Sequence, residues 1–464
     1  MSKDNISPSP GSLYVAHEKI YPREVSGKFQ SLRNAAVIVL LGLFYMMPWV
    51  PWGDRQAVLF DLPARKFYIF WFTFWPQDFY YLTWLLVIAA VTLFFVTAVA
   101  GRLWCGYACP QTVWTEIFIW MERWTEGDRN KQIKLDKSPW NANKIVRKTS
   151  KQYLWISFSL WTGFTFVGYF TPIAELGGKL STLSLGPWET FWILFYAFAT
   201  YGNAGFMREQ VCKYMCPYAR FQSAMFDRDT LIISYDEKRG EPRGKRKKGV
   251  SPVYEGLGDC VDCMQCVQVC PTGIDIRQGL QYECIACAAC IDACNQVMDK
   301  MAYPRKLIGY TTQNSTTRTA GRIIRPRTVF YFLIWSGLII GFVAAVTQRK
   351  PLALDIIRDR NALYRQVEDH KVENVYTLKL MNKGESGQNY TIAADGLAGL
   401  EIIMDIEDIY VPSGDVLNLP VRIRANTQGI TQASLPVSLQ LIEIESGATV
   451  TEETRFFAPI DKKR

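Results

Sequence analysis

Histidine is nearly missing from this chain. Its 464 residues contain two, His17 and His370. Neither lies in an apolar run, which excludes a bis-histidine haem held between membrane helices. Cysteine stops early: twelve occur, the last is Cys294, and residues 348–464 have none. The net charge of +9 comes with no recognised nucleic-acid-binding pattern, so no nucleic-acid partner is expected. No cleavable leader is expected either, because about 34 mostly polar residues precede the first apolar run and no small-residue cleavage site follows it.

Apolar and aromatic residues are abundant. Hydrophobic residues make up 49% and aromatics 14%, with 15 Trp, 23 Tyr and 26 Phe, as in a membrane protein with interfacial belts. The apolar residues cluster into five runs: Ala35–Pro51, Phe79–Ala100, Tyr153–Pro172, Trp188–Met207 and Thr328–Thr347. Each approaches the roughly 17–25 residues that cross a bilayer. Lys and Arg alternate between the connecting segments. Met1–Asn34 carries five, Gly101–Lys151 ten, and Arg208–Arg327 nineteen, including Arg318, Arg322, Arg325 and Arg327. Trp52–Asp78 carries three and Ile173–Pro187 only Lys179. The positive-inside rule then puts the N-terminus and residues 208–327 in the cytoplasm and residues 348–464 outside. All twelve cysteines fall on the inner side of that arrangement. The basic stretch Lys238–Lys248 reads as a solvated linker obeying the same rule.

Eight cysteines fall in two runs of one spacing. The first is Cys260-x2-Cys263-x2-Cys266-x3-Cys270-Pro271, and the second is Cys284-x2-Cys287-x2-Cys290-x3-Cys294. This is the bacterial two-cluster ferredoxin pattern, in which the fourth cysteine of each run ligates the other cluster. Cys260, Cys263, Cys266 and Cys294 are therefore expected to hold one [4Fe–4S] cluster, and Cys284, Cys287, Cys290 and Cys270 the other. Structural zinc sites use two separated pairs instead. Disulfides need an oxidising compartment and clean pairwise geometry. Asn295 stands where the pattern has a second proline.

The other four cysteines form a repeat. Cys105-Gly106-Tyr107-Ala108-Cys109-Pro110 and Cys212-Lys213-Tyr214-Met215-Cys216-Pro217 both read C-x-Y-x-C-P, offset by 107 residues. Each follows an outside-to-inside run, so the membrane part reads as two duplicated hairpins whose ends meet at the cytoplasmic face. Cysteines four apart share a helical face, and the proline ends, kinks or begins a helix. Thiolates favour soft ions, above all Cu(I). A further iron–sulfur cluster or a pair of redox dithiols remain open alternatives.

Residues 348–464 alternate instead, as in Thr377-Leu378-Lys379-Leu380 and Val421-Arg422-Ile423-Arg424. About seven short strands in an immunoglobulin-like sandwich are expected. Glu443-x-x-Ser446-Gly447-Ala448-Thr449 is similar to a motif that takes flavin covalently on threonine, but between two strand-like runs it reads as a hairpin turn.

The expected fold is thus an α-helical membrane protein of about five transmembrane helices. It carries a cytoplasmic bacterial-type 2[4Fe–4S] ferredoxin insert and a periplasmic C-terminal immunoglobulin-like β-sandwich. The boundaries are a cytoplasmic segment 1–34, four helices in two hairpins at 35–227, a basic linker at 228–257 and the ferredoxin domain at 258–310. A linker at 311–327, the fifth helix at 328–347 and the sandwich at 348–464 follow. This combination, with the N-terminal stretch Lys19–Gly27, resembles the CcoG family of cytochrome c oxidase accessory proteins, also called the FixG or RdxA type. The resemblance covers nearly the whole length. It implies a bacterial inner-membrane polyferredoxin that reduces Cu(II) to Cu(I) for assembly of a haem–copper oxidase. On that reading Cys105, Cys109, Cys212 and Cys216 are the catalytic residues and copper ligands, and the protein is a cupric reductase. Copper is then the substrate, a flavodoxin- or ferredoxin-like cytosolic protein the electron donor, and copper-delivery and oxidase-assembly proteins the partners. Two other functions compete: a respiratory subunit oxidising quinol, as NapH-like membrane ferredoxins are thought to, and an assembly scaffold with structural clusters. Quinol oxidation wants ionisable groups in a membrane pocket, and the apolar runs offer almost none. A scaffold leaves the duplicated thiol motif unexplained.

Overall fold

The computed structural model describes residues 19–249, 252–316, 322, 324–368, 370–384, 386–397, 399–406, 408–426 and 432–459. His17 and Arg318 lie outside the described residues. The chain divides into two compact units, Met1–Asp61 with Tyr80–Ile340 and Leu62–Phe79 with Gly341–Arg464.

The helices before the ferredoxin-like segment are α1 (Lys28–Met46), α2 (Phe79–Ala100), α3 (Leu103–Tyr107), α4 (Pro110–Glu126), α5 (Arg129–Lys137), α6 (Ala142–Val167), α7 (Ile173–Ser181), α8 (Pro187–Thr200) and α9 (Pro217–Met225). Lys28–Trp49, Pro76–Ala100 and Pro326–Thr347 are long and apolar enough to cross a bilayer. The third and fourth expected spans differ from the sequence reading. α6 begins at Ala142, where the Asn141 side chain accepts from the Lys144 amide at 2.8 Å, and its first turns carry Lys144, Arg147, Lys148 and Lys151. α8 is α-helical for 14 residues and then continues as a π-helical turn, Tyr201–Met207. π turns relax the helical register, and they recur at functional sites.

Close backbone packing joins these helices. A Cβ on Gly163 of α6 would lie 2.2 Å from the Ile193 carbonyl oxygen of α8, so only glycine fits there. Val37, Leu41 and Tyr45 of α1 pack on Val113 of α4, and the Tyr45 and Thr162 hydroxyls meet at 2.7 Å. Phe118 of α4 packs on Trp155 of α6 and Ala204.

α4 also buries charge. Glu116 pairs with Arg33 at 2.6 Å, Glu122 with Arg208 at 2.8 Å and Lys19 at 3.0 Å, and Glu126 with Lys148 and Lys151 at 2.9 Å each. The Lys151 ammonium and the Arg208 guanidinium also face the Trp155 ring, at 4.7 and 5.5 Å. Burial alone would raise the Glu122 carboxyl, but Arg208, Lys19 and Lys151 hold it down at about 2. Removing one partner from such a buried pair typically costs roughly 3–5 kcal/mol, because the other charge is left uncompensated. This network fixes the segment around Arg208, just ahead of the second thiol motif.

In the ferredoxin-like segment, strand Ile232–Tyr235 pairs antiparallel with Ile308–Thr311. Helix Ala289–Met301 buries Ile291, Val297 and Met298 against them.

The second unit is a two-sheet sandwich. One sheet runs Glu401–Met404, Val416–Asn426, Lys371–Asn382, Leu352–Arg358, with Arg365–Glu368 also pairing Lys371–Asn382. The other runs Ile409–Val411, Gln388–Asp395, Ser434–Glu443, Thr449–Phe457. That makes nine strands among the described residues rather than about seven. The alternation works as read: Leu378, Leu380, Val421 and Ile423 are fully buried between the sheets. Residues 443–449 form the hairpin turn, with Gly447 at φ +69°. One feature was not foreseen. Residues 62–79 belong to this unit, and their Asp78 carboxylate is buried between Arg349 at 2.6 Å and Lys383 at 2.9 Å.

Candidate metal centres

The two cysteine runs fold into matching cradles. In the first, Asp262 and Met264 adopt left-handed backbone, with φ +49° and +59°. In the second, Ala286 and Ala288 do so at the same two places, with φ +54° and +61°. Side chains with a Cβ resist this region, so four such residues mark stored strain. Alternating handedness turns successive amides toward one centre, which suits a large anion. A helix follows each turn, Gln265–Gln268 of 4 residues and Ala289–Met301 of 13.

Each cradle closes on a hollow. Cys260, Cys263, Cys266 and Cys294 line the first, with Arg277 at its wall. Cys270, Cys284, Cys287 and Cys290 line the second, which also touches Cys266. The fourth cysteine of each run thus lies with the other run's three. Among the described residues, no three thiols, imidazoles or carboxylates close round a single ion. Four sulfurs spread round an apolar hollow instead fit a group wider than one ion. Burial pushes the Cys266, Cys284 and Cys294 thiols up to about 12, so thiolates there need a metal partner. The residues therefore fit two cubane clusters. Arg277 braces the first cradle, bonding Asp275 and Asp262 at 2.7 Å each.

The twin motifs share one local design, and it departs from the single helical face expected for each pair. α3 ends at Tyr107, and Cys109 is the N-cap of α4 with Pro110 as its first residue. Cys212 sits in a π-helical turn, Val211–Met215, and Cys216 caps α9 ahead of Pro217. Proline lacks the N–H that a first helical residue would leave unused, so it starts a new helix and breaks the old one. Both motifs therefore place the first thiol in a five-residue helical segment and the second at the N-terminus of the next helix.

The four thiols converge. Cys105 feels Cys109 and Cys216, and Cys212 feels Cys109, Cys105 and Cys216. Burial first, then these neighbours, push Cys105 up to about 11 and Cys212 to about 12. Burial also raises Cys109, against the pull of the Thr112 and Gln111 amides of α4. Cys105 packs against the buried cluster of Val269, Ile285, Cys287, Ala289 and Ala293. Its Sγ lies 3.4 Å from the Gln222 Oε1. Gln222, Tyr310 and Arg102 escaped the sequence reading. Only the nearness of Arg102 to the first motif could have flagged it.

Two thiol-rich cradles and a two-sheet sandwich define an iron–sulfur protein with an immunoglobulin-like domain, and the comparisons agree. Residues 207–313 match the 4Fe-4S dicluster domain family and residues 82–131 a 4Fe-4S binding domain family. Residues 342–459 match the IG-like fold at the C-terminal of FixG. RdxA of Cereibacter sphaeroides is 42% identical over 405 residues, covering 84% of each chain. RdxB of the same organism is 40% identical over 465 residues, covering 96% of this chain and 97% of its own. Nitrogen fixation protein FixG of Rhizobium meliloti is 39% identical over 425 residues, covering 83% and 81%. Ferredoxin-type protein NapH of Haemophilus influenzae is 20% identical over 228 residues, covering 47% and 68%. The chain belongs to the FixG/RdxA family of iron–sulfur electron-transfer proteins.

Proposed function

We propose that this protein reduces Cu(II) to Cu(I) for assembly of a haem–copper cytochrome c oxidase. The observation that carries the reading is that Arg102 and Cys105 of the first motif's segment bond Ala219 and Gln222 of the helix that Cys216 caps, while Cys105 packs against the apolar cluster that holds Cys287 of the second cradle. Cys260, Cys263, Cys266 and Cys294 would hold one [4Fe–4S] cluster, and Cys270, Cys284, Cys287 and Cys290 the other. When bound, these clusters supply single-electron relay between a soluble donor and copper. Cys105, Cys109, Cys212 and Cys216 would supply the copper ligands, drawing closer round the ion than in this structure, where no three of them close round one. Soft thiolates bind Cu(I) far better than harder donors do, so the site favours the reduced product. Each Cu(II) takes up one electron and becomes Cu(I), and a flavodoxin- or ferredoxin-like donor loses one. Cys105 packs against the apolar cluster of Ile285 and Ala289, and all four thiols are half-buried.

Several apolar helices make this a protein compatible with a membrane. We place it in the bacterial inner membrane with five spans, the cradles cytoplasmic and the sandwich periplasmic, from its Lys/Arg asymmetry. A reporter fused after residue 464 then reads periplasmic and one inserted at 242–256 cytoplasmic. A cytoplasmic reading at the C-terminus would mean that one span is miscounted. A second reading is electron transfer from quinol, the function that the resemblance to NapH-like membrane ferredoxins implies. One assay separates the two. Anaerobically purified protein is reduced with dithionite, freed of reductant and mixed with Cu(II) and a Cu(I) chelator. Copper reduction in proportion to protein supports the copper reading. Reoxidation by a quinone with no Cu(I) formed supports the other.

A further inference from the structure

Arg102 stands between the thiol site and the second cradle, and the sequence gives it no role. It immediately precedes α3, and its side chain is 6% exposed. One arm of its guanidinium donates to the Tyr282 carbonyl, two residues before Cys284. The other donates to the Ala219 carbonyl of α9, three residues after Cys216. Among the described residues its Nε has no hydrogen-bond partner. A buried cation needs compensating partners, and the two it has are backbone carbonyls of the segments that lead into the second cradle and follow the second motif.

Gly106 makes the same junction tight. A Cβ there would sit 2.7 Å from the Ile285 carbonyl oxygen and 3.0 Å from the Ala286 carbonyl carbon, both backbone atoms of the second cradle. The Tyr310 hydroxyl donates to the Ala286 carbonyl at 2.7 Å and meets the Tyr107 hydroxyl at 3.3 Å. The second motif carries Lys213 where the first has Gly106. The duplicated motifs are therefore not equivalent: the first is seated on the cradle.

We propose that Arg102 is a positioning residue for electron passage from the second cradle to the thiol site. It pins the Tyr282 and Ala219 backbones to the first motif, while Gly106 lets that motif sit against the Ile285–Ala286 backbone. The proposal rests on the copper reading of the four thiols, and its test separates the two.

Full-length Arg102→Gln, Arg102→Lys and Gly106→Ala are purified anaerobically with iron loaded. Each is measured for iron content, for cluster midpoint potentials by EPR-monitored titration, for Cu(I) affinity by competition with bicinchoninate, and for Cu(II) reduction. In Gly106→Ala the added Cβ pushes the first motif off the Ile285–Ala286 backbone, iron is retained, and reduction slows by about tenfold or more, as misplacement of reacting groups costs. In Arg102→Gln one midpoint moves to more negative potential, since a nearby cation favours the added electron, and reduction slows similarly. Arg102→Lys restores the midpoint but not the rate, because an ammonium lacks the planar fork that spans two carbonyls. Unchanged rates and midpoints in Gly106→Ala and Arg102→Gln, with a cysteine-free thiol site inactive, overturn this proposal and leave the copper reading standing. If the cysteine-free site still reduces copper, the copper reading fails, and an unmoved midpoint in Arg102→Gln then overturns the role of Arg102 independently. Iron loss in Gly106→Ala also overturns it, because the contact would then serve only to hold the cradle. Should Arg102→Gln fail to fold, Arg102→Lys and Gly106→Ala still decide.

Discussion

Serine at Cys105, Cys109, Cys212 and Cys216 together abolishes Cu(II) reduction, down to the rate of buffer alone, while iron content stays at the parent level. The argument is spatial and chemical. None of these four thiols lines either cradle hollow. Serine removes the soft donor and keeps the size, so Cu(I) affinity collapses without opening a cavity. Either pair alone keeps two thiolates, and partial activity is expected of each double variant. Iron analysis and the Cu(I)-chelator assay on the same preparation check this. Iron loss in the quadruple variant would show that the motifs hold a further cluster, a possibility raised by the 4Fe-4S family match over residues 82–131.

The second large effect concerns the crossed fourth cysteines. Cys270→Ser removes a donor from the hollow lined by Cys284, Cys287 and Cys290, so that cluster is perturbed and iron falls by about half if it is lost. Cys294→Ser does the same to the cluster of Cys260, Cys263 and Cys266. EPR of each variant, reduced stepwise, reads which signal survives. If the two variants damage the cluster of their own run instead, the pairing drawn from the two hollows is wrong.

The parts of this molecule most legible in sequence are those under covalent or periodic constraint. Cubane ligation tolerates few spacings, so the eight cysteines stood out, and the structure gathers them in two sets of four. Alternation revealed the sandwich, because Leu378, Leu380, Val421 and Ile423 must all point into one core. The repeat announced the twin motifs, though not their backbone. A helix through Cys105 and Cys109 looked reasonable by spacing, yet Pro110 and Pro217 each begin a fresh helix. What stayed hidden depends on long-range partners. Nothing in the sequence pattern singles out Glu116, Glu122 and Glu126. Their burial follows from Arg33, Arg208, Lys148 and Lys151, which are distant in sequence. Asp78 looked like the end of a loop, and its salt bridges to Arg349 and Lys383 reach 271 and 305 residues along the chain. Arg102 reads as one more positive-inside residue until its carbonyl partners are located.

Copper-edge X-ray absorption tests the central claim most directly. The full-length protein is reduced anaerobically and loaded with a single equivalent of copper. The account predicts a Cu(I) edge and a first shell of sulfur only, lost when Cys105, Cys109, Cys212 and Cys216 are all serine. A shell of nitrogen and oxygen, or a spectrum that the quadruple variant leaves unchanged, would contradict it.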